Sequence, residues 1–338
     1  MVKPDRTKIK TNKTSGTGKP EKKGKTGKTG TPQLHNRTGR IIKALSGYYY
    51  VSPDEPLAGE TLIQCRARGI FKKKGLSPLV GDSVIFGTTE NGEGTVDEIL
   101  PRSSELIRPP VANADLAVLV FSVTEPALNL QLLDKFLVHI EHAELEAVLC
   151  LSKRDLASEP EAGEASEAIE AVERIYRPIG YEVFVTSAVT QEGVAPLKER
   201  LAGRVAVVAG QSGVGKSSLL NTLVPGLSLE TNEISARLGR GKHTTRHVEL
   251  MPLPAGGYIA DTPGFSQLDF LELGIEELGY CFREFRGLAA DCKFRACTHV
   301  HEPGCAVIAA REEGRIAASR YEHYLQFMAE MKEKKRRY

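Results

Sequence analysis

The sequence predicts a multidomain α/β protein with an N-terminal β-barrel, a central parallel sheet and a C-terminal helical unit that carries metal ligands. Short β-rich runs separated by glycine and proline fill residues 39–108. Apolar strands and amphipathic helices then alternate over residues 109–272, as in a sheet covered by helices. Three of the six cysteines fall within residues 292–305 of the final unit, which spans 273–338. Residues 1–38 form a separate, highly basic arm.

The composition is that of a protein with a sizeable core, since 41% of its 338 residues are hydrophobic. No run of eighteen apolar residues occurs and no apolar segment follows the N-terminus. We therefore expect neither a membrane span nor a secretory signal, and a cytoplasmic location. The clustering of the cysteines favours a metal site over disulfides in that reducing compartment.

The basic arm dominates the charge distribution of the chain. Residues 1–40 hold 12 Lys and Arg against 2 Asp and Glu, whereas the rest holds 33 against 41. Residues 1–38 contain too few apolar side chains to form a core, so we expect them to be disordered. Such an arm indicates an anionic partner, most often nucleic acid. A solvated tail without a dedicated partner is an equal alternative.

The first folded region has the pattern of a small closed barrel of about five strands. The oligonucleotide-binding (OB) fold is the commonest barrel of this size that binds nucleic acid. Arg66, Arg68 and the three lysines at 72–74 could supply a basic face. The alternative is a structural barrel or a protein-docking module. The predicted strands span residues 39–45, 48–51, 60–68, 83–86 and 94–100.

The second region predicts a mostly parallel sheet with helices on both faces. Its apolar runs are too short for helices, and the segments between them repeat apolar residues at helical spacing. The predicted strands span 116–123, 147–151, 182–186, 205–209, 248–253 and 258–260. The predicted helices span 130–143, 162–177 and 194–201, with a fourth beginning at 218.

A phosphate-binding loop follows the fourth of these strands. Residues 210–217 match G-x-x-x-x-G-K-[ST] and lie between a buried strand and a helix, which is the context this motif needs. Backbone N–H groups of such a loop surround nucleotide phosphates, and the helix N-terminus adds partial positive charge. Lys216 is expected to reach the β and γ phosphates, and Ser217 to bind Mg²⁺. The predicted phosphate-binding residues are Gly210, Gln211, Ser212, Gly213, Val214, Gly215, Lys216, Ser217 and Ser218.

Two elements upstream of this loop predict recognition of guanine. Ser152, Lys153, Arg154 and Asp155 follow the second strand, where GTPases carry Asn-Lys-x-Asp. The aspartate accepts hydrogen bonds from guanine N1 and N2, a donor pair that adenine lacks. Serine in the asparagine position is expected to remove the amide that ties this segment to the phosphate loop. The second element, Ser187 and Ala188, follows the third strand and is expected to contact guanine O6 through its backbone.

Two elements downstream of the loop have the pattern of nucleotide switches. Asp261 ends a strand and is expected to hold Mg²⁺ through water, while the N–H of Gly264 contacts the γ-phosphate. Thr244 and Thr245 are candidate Mg²⁺ ligands within the glycine-punctuated stretch 226–246.

The residues that would orient water for hydrolysis are less clearly marked. Phe265 stands where Ras-type enzymes carry glutamine, so we expect slow intrinsic hydrolysis. His243 is the nearest candidate to orient the water, with a structural or RNA-contacting role as the alternative.

The base-reading elements precede the phosphate loop and the switches follow it, which is a circular permutation of the usual GTPase order. With the motifs Gly-x-Gly-Lys-His-Thr-Thr, Asp-Thr-Pro-Gly-Phe and Cys-x4-Cys-x-His-x5-Cys, the chain resembles the RsgA/YjeQ type of GTPase over roughly residues 39–330. The resemblance implies an OB domain, a permuted GTPase domain and a C-terminal zinc domain. It also implies a monomer that binds the small ribosomal subunit and its rRNA, acts in late maturation or quality control, and hydrolyses GTP under stimulation by that subunit.

The cysteine cluster predicts one structural zinc ion per chain. Cys292, Cys297, His299 and Cys305 form a Cys3His set, which is a common closed tetrahedral site. His301 is a rival for the imidazole position, and the resemblance favours His299. The alternative is a group of thiols without metal. A helix over residues 307–332 is predicted to follow and to pack on its own domain.

Two other functions remain open from the residues. The protein could be an RNA-binding assembly factor that holds its nucleotide without turnover, or a P-loop ATPase. Asp155 argues against the ATPase.

Overall fold

The computed structural model describes residues 34–88, 92–107, 109–158, 162–229, 248–261, 270 and 273–337. Of the predicted basic arm, residues 1–33 lie outside the described residues. Residues 34–38 belong to the first strand of the barrel, so the prediction that they are disordered is wrong. None of the described helices combines the length and hydrophobicity that crossing a bilayer requires.

The N-terminal unit is a closed five-stranded barrel with the strand order β1-β2-β3-β5-β4. One short helix, α1 (Gly69–Lys73), joins the third and fourth strands. This arrangement confirms the OB-type barrel. The strands approach closely at Gly94, where an added Cβ would lie 2.5 Å from Sγ of Cys65. The strands are β1 (Leu34–Leu45), β2 (Tyr48–Pro53), β3 (Ile63–Ala67), β4 (Ser83–Thr88) and β5 (Gly94–Ile99).

A two-stranded hairpin, β6 (Glu105–Ile107) and β7 (Pro110–Ala112), links the barrel to a six-stranded sheet. The hairpin was not predicted, because three-residue strands carry too little alternation to be recognised. The sheet order is β10-β9-β8-β11-β13-β12, and among these described strands the edge strand β12 alone is antiparallel to its neighbour. Its strands are β8 (Leu116–Ser122), β9 (Glu146–Ser152), β10 (Glu182–Val185), β11 (Val205–Ala209), β12 (Leu250–Pro252) and β13 (Tyr258–Asp261).

In the described parts of the chain, four helices cover both faces of this sheet, which confirms the predicted α/β layers. Side chains of α2 (Leu130–His142) and α3 (Ala162–Tyr176) share one apolar cluster with one face of the strands. Side chains of α4 (Val194–Leu201) and α5 (Lys216–Leu223) share a second cluster with the other face. The strands β8 and β11 are buried on both faces, so they are continuously apolar and do not alternate.

The barrel packs directly against the edge of the sheet. Neighbouring residues of β1 face opposite ways: Ile41 lies in the barrel core and Ile42 in the core of the central sheet. Lys43 Nζ lies 2.7 Å from Oε2 of Glu249, which directly precedes β12. The barrel therefore docks beside the antiparallel edge strand.

The C-terminal unit contains α6 (Arg283–Ala289), α7 (Ala306–Glu312) and α8 (Ala318–Arg337). The single helix predicted over 307–332 is wrong, because the chain breaks between α7 and α8. Gly314 adopts a φ of +76°, and its N–H donates to the carbonyl of Arg311 while Arg315 N donates to Ala310. These two bonds close a Schellman turn, which ends a helix at a left-handed glycine. The predicted apolar stripe does pack on its own unit, through side chains that include Ile316, Tyr321, Tyr324, Met328 and Met331.

A buried ion cluster joins this unit to the central domain. Asp134 of α2 is fully buried and accepts hydrogen bonds from Arg320 and from the Tyr176 hydroxyl, both at 2.6 Å. Arg320 also forms a bidentate pair with Glu284 at 2.7 and 2.9 Å. Burial alone would lower the pKa of Arg320, but the two carboxylates outweigh it and raise that pKa, so the guanidinium stays charged.

A second cluster lies two helical turns along α2. Glu141 accepts from Arg283 at 2.6 Å, from Arg286 at 2.5 Å and from the Tyr181 hydroxyl at 2.8 Å. Because Asp134 and Glu141 are seven residues apart, they lie on one face of the helix. Two carboxylates of α2 therefore hold the C-terminal unit in place.

We predict that Arg320→Ala lowers the free energy of unfolding by about 3–5 kcal/mol, because it leaves two carboxylates buried without their cation. Chemical denaturation followed by circular dichroism measures the change. Arg315→Ala is the matched control, since the Arg315–Glu313 pair is 54% and 58% exposed, and it should cost less than about 1 kcal/mol. Equal losses for the two variants would contradict the role of the buried cluster.

Candidate nucleotide and metal sites

Four chain segments predicted to bind nucleotide leave the same edge of the central sheet. Parallel pairing brings the carboxyl ends of β9, β10, β11 and β13 together. Ser152 ends β9, and residues 186–188 follow β10. Asp261 ends β13 in register with Val208 of β11, directly before the phosphate loop. Open parallel sheets bind ligands at this edge.

The phosphate loop has the backbone conformation that its glycines allow. Gly210, Gly213 and Gly215 have φ values of +150°, +82° and +89°. A Cβ on Gly210 would lie 2.2 Å from the carbonyl oxygen of Val120, so no side chain fits there. Lys216 opens α5, and its Nζ donates to the carbonyls of Gly210 and Gln211, both at 2.7 Å. The structure therefore brings the predicted residues Gly210–Ser218 together as a loop and the first turn of a helix.

Ser152 contacts the phosphate loop through its hydroxyl. Its Oγ lies 2.5 Å from the carbonyl oxygen of Val214 and 3.1 Å from that of Phe121. The replacement of asparagine by serine was expected to remove the amide that ties these segments. The amide is absent as predicted, and the serine hydroxyl makes a hydrogen bond between the same two segments.

Lys153 lies over the phosphate loop. Its backbone has a φ of +63°, and its Nζ donates to the carbonyl of Glu125 at 2.5 Å. Its Cγ and Cε lie 3.9 Å from the position that a Cβ of Gly215 would take. The aliphatic part of Lys153 thus contacts the loop where the glycine leaves room.

The two base-reading segments are joined by hydrogen bonds. The Ser187 hydroxyl is fully buried and donates to Oδ1 of Asp155 at 2.6 Å. Oγ of Ser187 in turn accepts from the N–H groups of Val189 and Thr190. Arg154 N donates to the carbonyl of Thr186 at 3.1 Å. The sequence predicted only a backbone role for the Ser187–Ala188 segment, and it carried no signal for the side-chain contact that orients Asp155.

The predicted Mg²⁺ and switch residues are only partly described. Ser217 lies in the first turn of α5, and Asp261 lies at the end of β13. His243, Thr244, Thr245 and Gly264 lie outside the described residues, so their roles stay predictions.

The four predicted zinc ligands converge at one point. Cys292, Cys297, His299 and Cys305 place their ligand atoms within 4.8 Å of one another. Nδ1 of His299 lies 3.6 Å from Sγ of Cys292 and 3.3 Å from Sγ of Cys305, and those two sulfurs are 3.9 Å apart. A tetrahedral zinc with bonds of about 2.3 Å to sulfur and about 2.0 Å to nitrogen requires similar separations. The residues therefore fit the ion.

The rival histidine does not join this cluster. His301 is exposed, whereas His299 is buried and its ring points at the sulfurs. Burial lowers the pKa of His299, which favours the neutral imidazole that binds metal. Three thiolates and one imidazole leave no open position, so the arrangement suits a structural site.

Glu302 holds the loop that carries these ligands. Its carboxylate accepts from the Thr298 N–H at 2.7 Å, from the Thr298 hydroxyl at 2.5 Å and from Val300 N at 2.9 Å. A fourth bond comes from the N–H of His301 at 3.1 Å. Burial by itself would raise the pKa of Glu302, but these bonds outweigh it and hold that pKa well below its ordinary value.

Comparison with known proteins gives consistent matches over most of the chain. The family model described as RsgA GTPase matches residues 99–271, and that described as RsgA N-terminal domain matches residues 38–96. The small ribosomal subunit biogenesis GTPase RsgA of Geobacillus thermodenitrificans (strain NG80-2) is 55% identical over 300 residues, which are 89% of this chain and 99% of that protein. The Bacillus cytotoxicus protein of the same name is 53% identical over the same shares.

Two solved structures share the fold. YloQ, described as a circularly permuted GTPase, matches with a TM-score of 0.74 and 42% identity over 89% of this chain and 96% of its own. YjeQ from Thermotoga maritima matches with a TM-score of 0.75 and 39% identity over 87% of this chain and 98% of its own. These matches confirm the permuted GTPase order read from the motifs.

We predict that Glu302→Gln accelerates the release of zinc, because a neutral amide binds the four donors more weakly and the ligand loop opens more often. Zinc release from the full-length protein to a chromogenic chelator measures the effect, and we expect the rate to rise by roughly tenfold. Glu312→Gln, an exposed glutamate at the end of α7, is the control. Indistinguishable release rates for all three proteins would show that Glu302 does not secure the site.

Proposed function

We propose that this chain, which belongs to the RsgA GTPase family, binds the small ribosomal subunit and acts in its late maturation or quality control. It is a GTP hydrolase with the circularly permuted order of that family. The relatives named above are small ribosomal subunit biogenesis GTPases, and they match nearly their whole length. We further propose that it works as a monomer in the cytoplasm, with GTP and GDP as ligands and the subunit and its rRNA as partners.

The observation that carries the proposed nucleotide site is the alignment of Asp155 with the phosphate loop at one sheet edge. Lys153 contacts that loop at Gly215. Asp155 lies two residues after Lys153 in the chain, and Ser187 orients its carboxylate. The carboxylate would accept from guanine N1 and N2 while the loop N–H groups surround the phosphates. Ala188 and the rest of the Ser187 segment would contact the base from the neighbouring strand end.

The same edge offers hard oxygen ligands for Mg²⁺. The hydroxyl of Ser217 and the carboxylate of Asp261 are of the type that this ion prefers, and Thr244 or Thr245 would complete the set. Bound Mg²⁺ would neutralise charge that develops on the phosphates. Lys216 would bind the β and γ phosphates, and Gly264 would contact the γ-phosphate. We propose His243 as the residue that orients the attacking water, since Phe265 has no polar group.

The barrel supplies a surface for the proposed RNA partner. On the barrel, the guanidinium of Arg66 stacks 4.8 Å from the ring of Tyr48, and the lysines at 72–74 are exposed. Arg68 pairs with Asp97 at 2.8 Å, so its charge is partly neutralised. Exposed cations beside an aromatic ring suit phosphate contact and base stacking. The division into an arm, a barrel ending at 108, a GTPase unit (109–272) and a zinc-binding unit (273–338) is part of this proposal, with the arm ending at 33 because β1 begins at Leu34.

We propose that the Cys3His cluster holds one structural zinc. In the surrounding stretch, residues 290–305, the described chain forms turns and bends with no regular helix or strand. Metal ligation would supply the stability that such a segment lacks. No step of the hydrolysis depends on this ion.

We predict that Asp155→Asn transfers the nucleotide preference from GTP to xanthosine triphosphate, because the amide donates where the carboxylate accepts. Affinity for GTP should fall by roughly a hundredfold, since two charge-assisted hydrogen bonds are lost. Competition binding with GTP, ATP and xanthosine triphosphate measures the change. A variant that discriminates against the xanthine nucleotide as strongly as the parent would remove the guanine reader from the proposal.

We predict slow GTP turnover by the protein alone and at least about tenfold faster turnover with purified small ribosomal subunits. Steady-state phosphate release measures the rate, and co-sedimentation with a GTP analogue and with GDP measures binding. Large subunits at equal concentration are the control. His243→Ala should lose the stimulated rate while it still sediments with the subunit. A rate that small subunits leave unchanged would contradict the proposed partner.

A further inference from the structure

A row of paired residues runs from the barrel to the edge of the central sheet where nucleotide is proposed to bind. Lys43 of β1 forms an antiparallel bridge with Glu249, which directly precedes β12. Leu250 of β12 pairs with Ala260 of β13 in an antiparallel register. One step along the same register, Glu249 lies opposite Asp261, the proposed Mg²⁺ residue. A side chain of the barrel therefore pairs with the cross-strand neighbour of Asp261.

Glu249 and Asp261 lie on the face of the sheet that α5 covers. Leu250 and Ala260 both belong to the apolar cluster of the opposite face, which α2 and α3 cover. Because successive side chains of a strand point to opposite faces, the residues next to them, Glu249 and Asp261, point toward the side of α5. The first turn of α5 carries Ser217, the other proposed Mg²⁺ ligand. The carboxylate of Glu249 is thus on the side of the sheet that carries both proposed ligands.

Lys43 reaches this face from the barrel. Its neighbours in β1, Ile42 and Ala44, pack with the cluster of the opposite face. The Nζ atom of Lys43 lies 2.7 Å from Oε2 of Glu249, and the two side chains are 32% and 46% exposed. Ion pairs with this exposure stabilise a fold only slightly. Their charges still act on an ion at an adjacent site, because electrostatic interactions extend over roughly 10 Å at moderate ionic strength.

We propose that Lys43 and Glu249 are positioning residues that set the strength of Mg²⁺ binding at the nucleotide edge. Glu249 adds negative potential beside Asp261. Lys43 partly neutralises that potential and holds the carboxylate on the side of β1, the strand across Glu249 from β13. The inference rests on the Mg²⁺ site proposed above, and neither residue is a proposed ligand of the ion. The barrel, which carries the proposed RNA surface, thereby contributes a side chain to the nucleotide edge.

The electrostatic role predicts effects of opposite sign for the two residues. Like charges that face each other across antiparallel strands repel, whereas a divalent cation beside them is attracted by both. Loss of the Lys43 charge leaves the Glu249 carboxylate uncompensated and should tighten Mg²⁺ binding. Loss of the Glu249 charge leaves a lysine cation uncompensated and should weaken it. A purely structural pair would instead lose Mg²⁺ affinity in both cases, so the sign separates the two roles.

The test uses full-length protein loaded with fluorescently labelled GDP at low ionic strength. Mg²⁺ that joins the phosphates to Ser217 slows nucleotide release, so the release rate over a series of Mg²⁺ concentrations gives the Mg²⁺ midpoint. Lys43→Met keeps the length of the side chain without its charge and should lower the midpoint by roughly three- to tenfold. Glu249→Gln should raise it by a similar factor. The double variant keeps the net charge of the parent and should lie within about twofold of it, and added salt should shrink both single effects.

Lys198→Met and Glu199→Gln are the matched controls, because both side chains are exposed on α4, which follows the strand at the other edge of the sheet. They make the same charge changes and should leave the midpoint unchanged.

Midpoints that move in the same direction in Lys43→Met and Glu249→Gln, that stay at the parent value in both, or that move equally in the controls would each overturn the inference. Thermal unfolding of every variant accompanies the titration, and loss of folding in both single variants would make the pair a structural contact and overturn it too. A parent that binds labelled GDP without any response to Mg²⁺ would remove the proposed metal site and this inference with it. A parent that binds no GDP would remove the whole nucleotide site.

Discussion

Parallel strand pairing is the constraint on which the nucleotide site depends. The ladders that join β10, β9, β8, β11 and β13 point five carboxyl ends at one edge. These ladders require a register between neighbouring strands, and they do not depend on the order in which the chain visits the strands. The chain here reaches Asp155 and Ser187 before it reaches the phosphate loop, and it reaches Asp261 last. Because the sheet order is kept, the permutation leaves the relative positions of these groups intact.

Helix α2 links the sheet to the C-terminal unit through apolar side chains that pack against both and through two carboxylates that bind arginines of the C-terminal unit. Phe136 and Ile140 belong to the apolar cluster of the sheet, while Val138 belongs to that of the C-terminal unit. Asp134 and Glu141 add the buried ion clusters on the outer side. Burying charge is costly in desolvation, and the cost is offset here by bidentate and multiple hydrogen bonds. An apolar contact would tolerate sliding, whereas these directional bonds fix one docking position of the zinc-bearing unit.

The sequence predicted the features that depend on local pattern. The five-stranded barrel, the parallel sheet, the loop at 210–217 and the convergence of three cysteines with a histidine follow from periodicity, glycine placement and ligand spacing, whereas the family resemblance selected His299 over His301. The break at Gly314 was missed because the helical stripe continues on both sides of it. The bond from Ser152 to Val214 and the cluster around Asp134 join residues far apart in the chain, and a single sequence carries no signal for such pairs. The motif has asparagine at the position of Ser152, so it could not show that a serine hydroxyl makes a hydrogen bond to the phosphate loop.

The permutation has a structural consequence at the C-terminal side of the site. In this order β13 is the last strand of the sheet, so the chain after Asp261 is free to build another unit. It reaches that unit at Phe270, which is buried against both sides of the junction: its ring stacks 5.3 Å from that of His139 on α2 and lies 5.2 Å from that of Phe327 on α8. Lys135 of α2 lies 4.7 Å from the Phe270 ring and also pairs with Glu330 of α8 at 2.9 Å. Phe270 is thus packed into the contact between α2 of the central domain and α8 of the zinc-bearing unit.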